Sequence, residues 1–143
     1  ISLSVAESCS GGLIAKQITD CPGSSNFFLG GVVAYSNDLK KKLLNVDEKK
    51  IIKYGAVSKE VSEQMCRNIK DITSSDAAIS TTGISGPSGG TESISIGIVY
   101  ITVNYLNDFI TKEFMLSPNR NIHRKVTSHT ALNMLRKLIN SNK

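Results

Sequence analysis

Cysteine and histidine are scarce in this chain, and the few present are badly spaced for holding a metal. The three cysteines, Cys9, Cys21 and Cys66, form no C-x-x-C pair. Their odd number suits free thiols in a reducing compartment better than a disulfide framework. His123 and His129 fall on one predicted helix without an H-E-x-x-H pattern, so no metal is expected. Tryptophan is absent, and the richest apolar run, Ile94 to Val103, is broken by Ser95, Gly97 and Thr102. Nothing in it has the length or continuity of a membrane span. No basic and apolar leader precedes the first strand, which points to the cytoplasm. Ile1 already reads as strand, so the start is expected to be trimmed.

What is present suits one domain covering residues 1–143, with enough apolar content at 40% to build a core. The net charge of +5 is compatible with an anionic ligand, and equally with weak attraction to nucleic acid. Neither an aromatic stacking platform nor a nucleic-acid-binding motif accompanies that charge, which disfavours the second reading.

Ile1, Leu3 and Val5 alternate with serines as in a strand, and helical spacing resumes at Leu13-Ile14-Ala15-Lys16-Gln17-Ile18. A second strand runs through Phe27 to Ala34 after the turn Asp20 to Ser25. Short helices are predicted over Asp38–Leu44 and Asp47–Tyr54, the latter stopped by Gly55. Ser58 caps the next helix, whose apolar stripe is Val61, Met65, Ile69 and Ile72. Ala77 to Thr82 is a short strand feeding the loop Gly83 to Gly90. Ile94–Val103 and Phe109–Leu116 are expected to pair as a hairpin around Leu106-Asn107-Asp108. The last helix, Asn121–Ile139, should face the core with Ile122, Val126, His129, Leu132, Leu135 and Ile139. Strands alternating with helices and ending in an antiparallel pair predict an α/β fold, with a mixed parallel/antiparallel sheet covered by helices.

In such sheets ligands bind beyond the carboxyl ends of strands. Ser8 stands at one of these ends, in the turn Glu7-Ser8-Cys9-Ser10-Gly11-Gly12, where glycines let a ligand approach the backbone and a helix start presents free N–H groups. A serine nucleophile needs a base, and neither histidine has an evident route to it. Lys40 and Tyr35, near the next strand end, are the candidates, since Ser-Lys pairs are a known variant of triad chemistry. Plainer roles compete at every position. Ser8 also fits a helix cap, Tyr35 fits half-buried packing, and Lys40 fits the solvated run Lys40-Lys41-Lys42. Cys9 reads as structural, His129 as a core or interface residue, and His123 as surface.

Five strings in order weight the choice: Ala6-Glu7-Ser8-Cys9-Ser10-Gly11-Gly12, Pro22-Gly23-Ser24-Ser25, Gly30-Gly31-Val32-Val33-Ala34-Tyr35-Ser36-Asn37, Gly55-Ala56-Val57-Ser58 and Thr82-Gly83-Ile84-Ser85-Gly86-Pro87. Together they resemble the C-terminal domain of the competence/damage-inducible CinA family, the nicotinamide-nucleotide amidases. The resemblance implies a three-layer α/β/α sandwich that hydrolyses the carboxamide of nicotinamide mononucleotide to nicotinate mononucleotide and ammonia without a cofactor. It implies Ser8 as nucleophile and Tyr35 and Lys40 as its activating pair. Ser10, Gly11, Gly12, Gly23, Ser24, Ser25, Asn37, Thr82, Gly83 and Arg120 then fall at substrate-binding positions. A homo-oligomer is expected, and the helix that usually precedes the first strand of the family is not in this chain. Ser10 stands where Thr is usual, and Ser88 where the loop commonly has Asp. The alternative is a catalytically weak module that binds pyridine nucleotides and acts through a partner.

Overall fold

The structure is a computed structural model describing all of residues 1–143. Its strands are β1 (Leu3–Glu7), β2 (Phe28–Val33), β3 (Ala77–Gly83), β4 (Ile98–Tyr105) and β5 (Asp108–Met115). They form one sheet in the order β2-β1-β3-β4-β5, with β1 parallel to both β2 and β3, and with β3, β4 and β5 antiparallel in turn. The helices are α1 (Leu13–Thr19), α2 (Asn37–Leu44), α3 (Glu48–Tyr54), α4 (Lys59–Thr73) and α5 (Arg120–Ser141).

Strand alternation divides the core into two layers. On one face Leu3, Val5, Ala77, Ile79, Val99, Ile101 and Val103 pack with Ile14 and Ile18 of α1 and with Ala131, Leu135 and Leu138 of α5. On the other, Ala6 and Ala78 meet Val61, Met65, Cys66 and Ile69 of α4, together with Leu44 and Val46. The result is the expected α/β/α sandwich with a mixed sheet. Val61, Met65 and Ile69 are buried, each contributing on the order of 1.5–3 kcal/mol through removal from water. Helix starts follow the sequence closely. Ser36, Asp47, Ser58 and Asn119 each accept a hydrogen bond from a first-turn N–H of α2, α3, α4 and α5.

Three expectations need correction. β4 begins at Ile98 rather than Ile94, because Gly97 adopts φ 99° and its N–H turns to the Ile84 carbonyl. In α4, Ile72 is exposed, one turn past the last residue the sheet covers. The face of α5 is also rotated from its apolar stripe. His123, Thr127, Ser128, Ala131, Leu135 and Leu138 are buried, whereas Ile122 is 50% exposed and His129 lies outside. The two histidines therefore exchange their expected environments. The helix carries apolar residues around much of its circumference, and small or polar side chains fill the crowded inner face near the loops, so hydropathy alone gives the wrong phase.

Glu7 has a role that its sequence position did not suggest. Its side chain is fully buried, and its two oxygens accept from the N–H groups of Ile14 (2.9 Å) and Ala15 (3.0 Å). Gly12, at the helix-cap position, has no side chain to do this, so a carboxylate from the end of β1 satisfies the start of α1. Glu7→Gln replaces one acceptor oxygen with an NH₂ group and strands a buried N–H. The expected loss is about 1.5–3 kcal/mol, measured as a lower urea midpoint with an unchanged m-value.

Candidate functional site

The ends of β1, β2 and β3 and the start of α5 enclose a cleft of about 230 Å³. From β1 come Ser8 and Cys9, from the segment after β2 comes Tyr35, and from the end of β3 and its loop come Gly83, Ile84, Ser85, Gly86, Ser88 and Gly89. Arg120 closes the wall.

Ser8 is not a helix cap. Its N–H continues the β1–β3 ladder by donating to Thr81 O (3.0 Å), and α1 starts only five residues later. Gly11 and Gly12 take φ 59° and 94°, which reverse the chain between strand and helix and would strain any other residue. The N–H groups of Cys9, Ser10 and Gly12 make no hydrogen bond within the chain, so the turn that carries Ser8 keeps free donors.

Lys40 enters from α2. Its Nζ lies 3.0 Å from Ser8 Oγ and 3.0 Å from the Ala34 carbonyl, in a residue only 2% exposed. The basic run divides: Lys41 pairs with Glu48 and Lys42 with Asp38, both outward, while Lys40 points to the sheet without a carboxylate partner. Burial lowers its pKa below the ordinary lysine value, and the neighbouring Cys9 opposes that shift. The amine thus loses its proton more readily than a surface lysine, and when neutral it can accept the hydroxyl proton of Ser8.

Tyr35 lines the same cleft but makes no hydrogen bond with Ser8 or Lys40. Its hydroxyl accepts from Arg120 Nη2 at 2.5 Å, and Arg120 Nη1 donates to Gly86 O at 2.9 Å. These bonds hold a permanent cation at the cleft mouth. Ser10 is buried, with its hydroxyl 2.7 Å from that of Thr81, so its side chain braces the turn. Thr82 is likewise buried, and its hydroxyl donates to Ala56 O at 2.8 Å rather than reaching the cleft. Gly83 does line it, where a Cβ would stand 2.5 Å from Ile98 O. Gly11 and Gly12 flank Ser8, and Asn37 opens α2, although none of the three is part of the cleft lining. Gly23, Ser24 and Ser25 lie elsewhere. α1 returns the chain to the start of β1, where Leu3 N–H bonds Phe27 O, so this turn sits at the far end of β1 from Ser8.

Arg124 escaped sequence reasoning. Its guanidinium donates to Ser10 O (3.1 Å) and covers Gly11 from outside, tying α5 to the reactive turn. Its only signal was a position one turn after Arg120 on the same helix.

The chain matches the CinA C-terminal domain family over residues 1–139. It is 43% identical to a CinA-like protein of Thermotoga maritima over 138 residues, covering 96% of this chain and 34% of that protein. A CinA-like protein of Prochlorococcus marinus is 45% identical over 140 residues, covering 96% and 33% respectively. The chain thus spans about a third of the length of the curated relatives it matches. Among solved structures, the competence/damage-inducible protein CihA of Agrobacterium tumefaciens superposes with a TM-score of 0.94 at 35% identity, covering 96% of this chain and 85% of that one. A CinA superfamily protein of Escherichia coli gives 0.93 at 26% identity, covering 96% and 80%.

Cys9, beside Ser8, is a poor rival nucleophile. Burial pushes its thiol up to about 12, so almost none is thiolate near neutrality. Cys66 is buried and its thiol is pushed up as well, whereas Cys21 is exposed. A thiol reagent at mildly alkaline pH should therefore label Cys21 quickly in the folded protein, and label Cys9 and Cys66 only in denaturant. Mass mapping of the labelled peptides checks this.

Proposed function

The chain belongs to the CinA C-terminal domain family, and from that membership and the contact between Lys40 and Ser8 we propose that it is a serine amidohydrolase acting on nicotinamide mononucleotide. The observation that carries the reading is the buried amine 3.0 Å from a hydroxyl that lines a cleft of about 230 Å³. In the proposed reaction Lys40 takes the Ser8 proton as Oγ attacks the carboxamide carbon. The oxyanion is stabilised by the free N–H groups of the turn at Cys9 and Ser10. When the C–N bond breaks, Lys40 returns the proton to the leaving nitrogen and ammonia departs. Water, with Lys40 again accepting a proton, then hydrolyses the Ser8 ester to give nicotinate mononucleotide and the free serine.

Tyr35 has a different place in this scheme from the one the resemblance implies. Because its hydroxyl is engaged by Arg120, it acts in the proposal at the mouth of the cleft, orienting the guanidinium and the substrate. Arg120 binds the phosphate, for which a planar, permanently charged donor is well suited. Arg120→Ala should weaken nicotinamide mononucleotide binding about 10- to 100-fold and leave binding of the phosphate-free riboside nearly unchanged. Calorimetry with both ligands measures the difference. Equal losses would remove the phosphate from this end of the cleft.

Activity should rise with pH through the depressed Lys40 value, because only the neutral amine is a base. Lys40→Arg keeps the charge but cannot release the proton, and should lower kcat by a factor on the order of 10²–10⁴. Ser8→Ala should abolish turnover and retain nucleotide binding. A direct ammonia assay over a pH series checks all three expectations. Binding without ammonia release by the unsubstituted protein would instead indicate a pyridine-nucleotide-binding module.

A further inference from the structure

The two edges of the sheet are built differently. β5, at one side, carries Asp108, Lys112 and Glu113, charges of the kind that keep an open strand from pairing with another. β2, at the other, pairs with β1 alone and has the sequence Phe-Leu-Gly-Gly-Val-Val. No charged residue occurs from Cys21 to Asn37, although 20% of the chain is charged and only Ala34 of this segment is buried. Leu29, Val33 and Tyr35 are 53%, 43% and 56% exposed, and the apolar surface continues onto α2, where Leu39 and Leu43 stand exposed one turn apart.

The main chain of this edge is open as well. Ala34 donates its N–H to Glu7 O on β1. By strand alternation the N–H and C=O groups of Gly31 and Val33 then point the other way, where no strand lies. The bulge opposite Leu3 and Ser4 falls at Leu29, which leaves Gly30–Val33 as regular strand, and its two glycines put no side chain over the backbone. Unpaired donors and acceptors flanked by exposed apolar side chains are a template for another strand. Identical edges close on each other across a twofold axis, which makes them antiparallel and brings the same patch of both copies together. A patch bearing net charge would repel its own image, and β2 bears none. The edge therefore suits an uncharged, apolar strand, and a second β2 meets that requirement in every register.

We propose that β2 is the docking edge for a second copy of this chain, and that pairing of the two β2 strands adds residues of each copy to the mouth of the other's cleft. With the axis near Gly31, in the middle of the regular stretch, the amino end of one β2 lies beside the carboxyl end of the other. The amino end follows the turn Gly23 to Asn26, and the carboxyl end leads into Tyr35, which lines the cleft. Within one copy these two segments sit at opposite ends of the strand. In the dimer the partner's Ser25 and the partner's Asn26, both exposed in the single copy, stand beside Tyr35, whose hydroxyl holds Arg120. The partner thereby supplies a hydroxyl and an amide to the side of the cleft where Tyr35 is exposed. This pairing does not depend on which ligand the cleft takes.

Sedimentation velocity of the unsubstituted chain over a concentration series should show a dimer at micromolar concentration. Leu29→Lys combined with Val33→Lys places like charges on both copies at exposed positions, and should raise the dimer Kd about 100-fold or more. Met115→Lys makes the same kind of change at an exposed position of β5 and should leave the dimer intact. Thermal melts verify that each variant remains folded. Cross-linking reads the direction of pairing, in a Cys21→Ser background that removes the exposed thiol. With the axis near Gly31, Ser25 and the partner's Tyr35 lie roughly 10 Å apart, whereas the two copies of Tyr35 are on the order of 25 Å apart and the two copies of Ser25 farther still. Co-expressed chains, one with Ser25→Cys and the other with Tyr35→Cys, should therefore be joined by a short bismaleimide, and neither chain should be joined to its own kind. The cross-link needs neither lysine, so it decides the matter if the double variant is unstable. A monomer at every concentration, a dimer indifferent to the two β2 lysines or lost equally with Met115→Lys, no cross-link in the mixed pair, or efficient cross-linking of one chain with itself would overturn the proposal. None of these readouts uses a ligand. An intact, cross-linkable dimer that fails to bind nicotinamide mononucleotide would defeat the nucleotide reading and leave the interface standing.

Discussion

An amine held out of water against a hydroxyl, with no carboxylate to neutralise it, constrains everything else at this end of the sheet. Placing Lys40 Nζ 3.0 Å from both Ser8 Oγ and Ala34 O requires the end of β1, the end of β2 and the first turns of α2 to stand in fixed relation. Two ladders supply that relation. Ser8 N–H bonds Thr81 O from the β3 side, and Ala34 N–H bonds Glu7 O from the β2 side. Both parallel neighbours of β1 thus extend their pairing to the residues that carry or hold the reactive groups. Ser36, by capping α2, sets the helical phase that turns Lys40 inward while Lys41 and Lys42 face water. Burying an unpaired ammonium is unfavourable, and the fold offsets that cost elsewhere in its core.

Glu7 solves the complementary problem. A serine exposed at a strand end needs a turn tight enough to bring backbone N–H groups beside it, and such a turn leaves the next helix without a side-chain cap. The glycines that permit the reversal, at φ 59° and 94°, cannot cap anything. A carboxylate one residue before the serine reaches under the turn to the N–H groups of Ile14 and Ala15. The chain therefore gains helix capping from the strand side, and the hydroxyl and N–H groups of the turn are left for a ligand. Arg124 closes the arrangement from α5 by donating to Ser10 O.

The parts of this architecture that rest on local patterning were legible in the sequence. Alternation found β1, the cap at Ser58 located the start of α4, and the glycine-bounded turn after β1 pointed to the end of the sheet where the cleft lies. What stayed hidden depends on tertiary context. The phase of α5 was misread because its inner face holds His123, Thr127 and Ser128, which hydropathy assigns to solvent. The same error hid the 2.8 Å contact of His123 Nδ1 with the Ser85 hydroxyl. Glu7 had no assigned role in the sequence reading, since nothing local reveals which N–H groups its carboxylate will meet. The resemblance named Thr82 and the Gly23 to Ser25 turn as ligand positions, but the hydroxyl of Thr82 is committed to Ala56 O, and α1 carries the turn to the other end of β1. String matching does not record such orientations.

The two basic side chains at this site, Lys40 behind Ser8 and Arg120 in the cleft wall, differ in a way that matches their residue types. Lys40 sits where burial lowers its pKa, at the contact with Ser8 where the proposed reaction needs a proton to leave and return. Arginine in that place would stay protonated at any physiological pH. Arg120 sits at the exposed mouth, its guanidinium spread between the Tyr35 hydroxyl and Gly86 O, where a fixed charge and several directed donors are useful and proton release would be harmful. The interior of the cleft thus favours a neutral, exchangeable base and its rim a permanent charge. In the proposed reaction the rim holds the phosphate of the nucleotide, with its carboxamide end directed to the hydroxyl. That polarity follows from burial and residue type, and in the proposed reaction it orients the carboxamide toward Ser8 before any bond is made or broken.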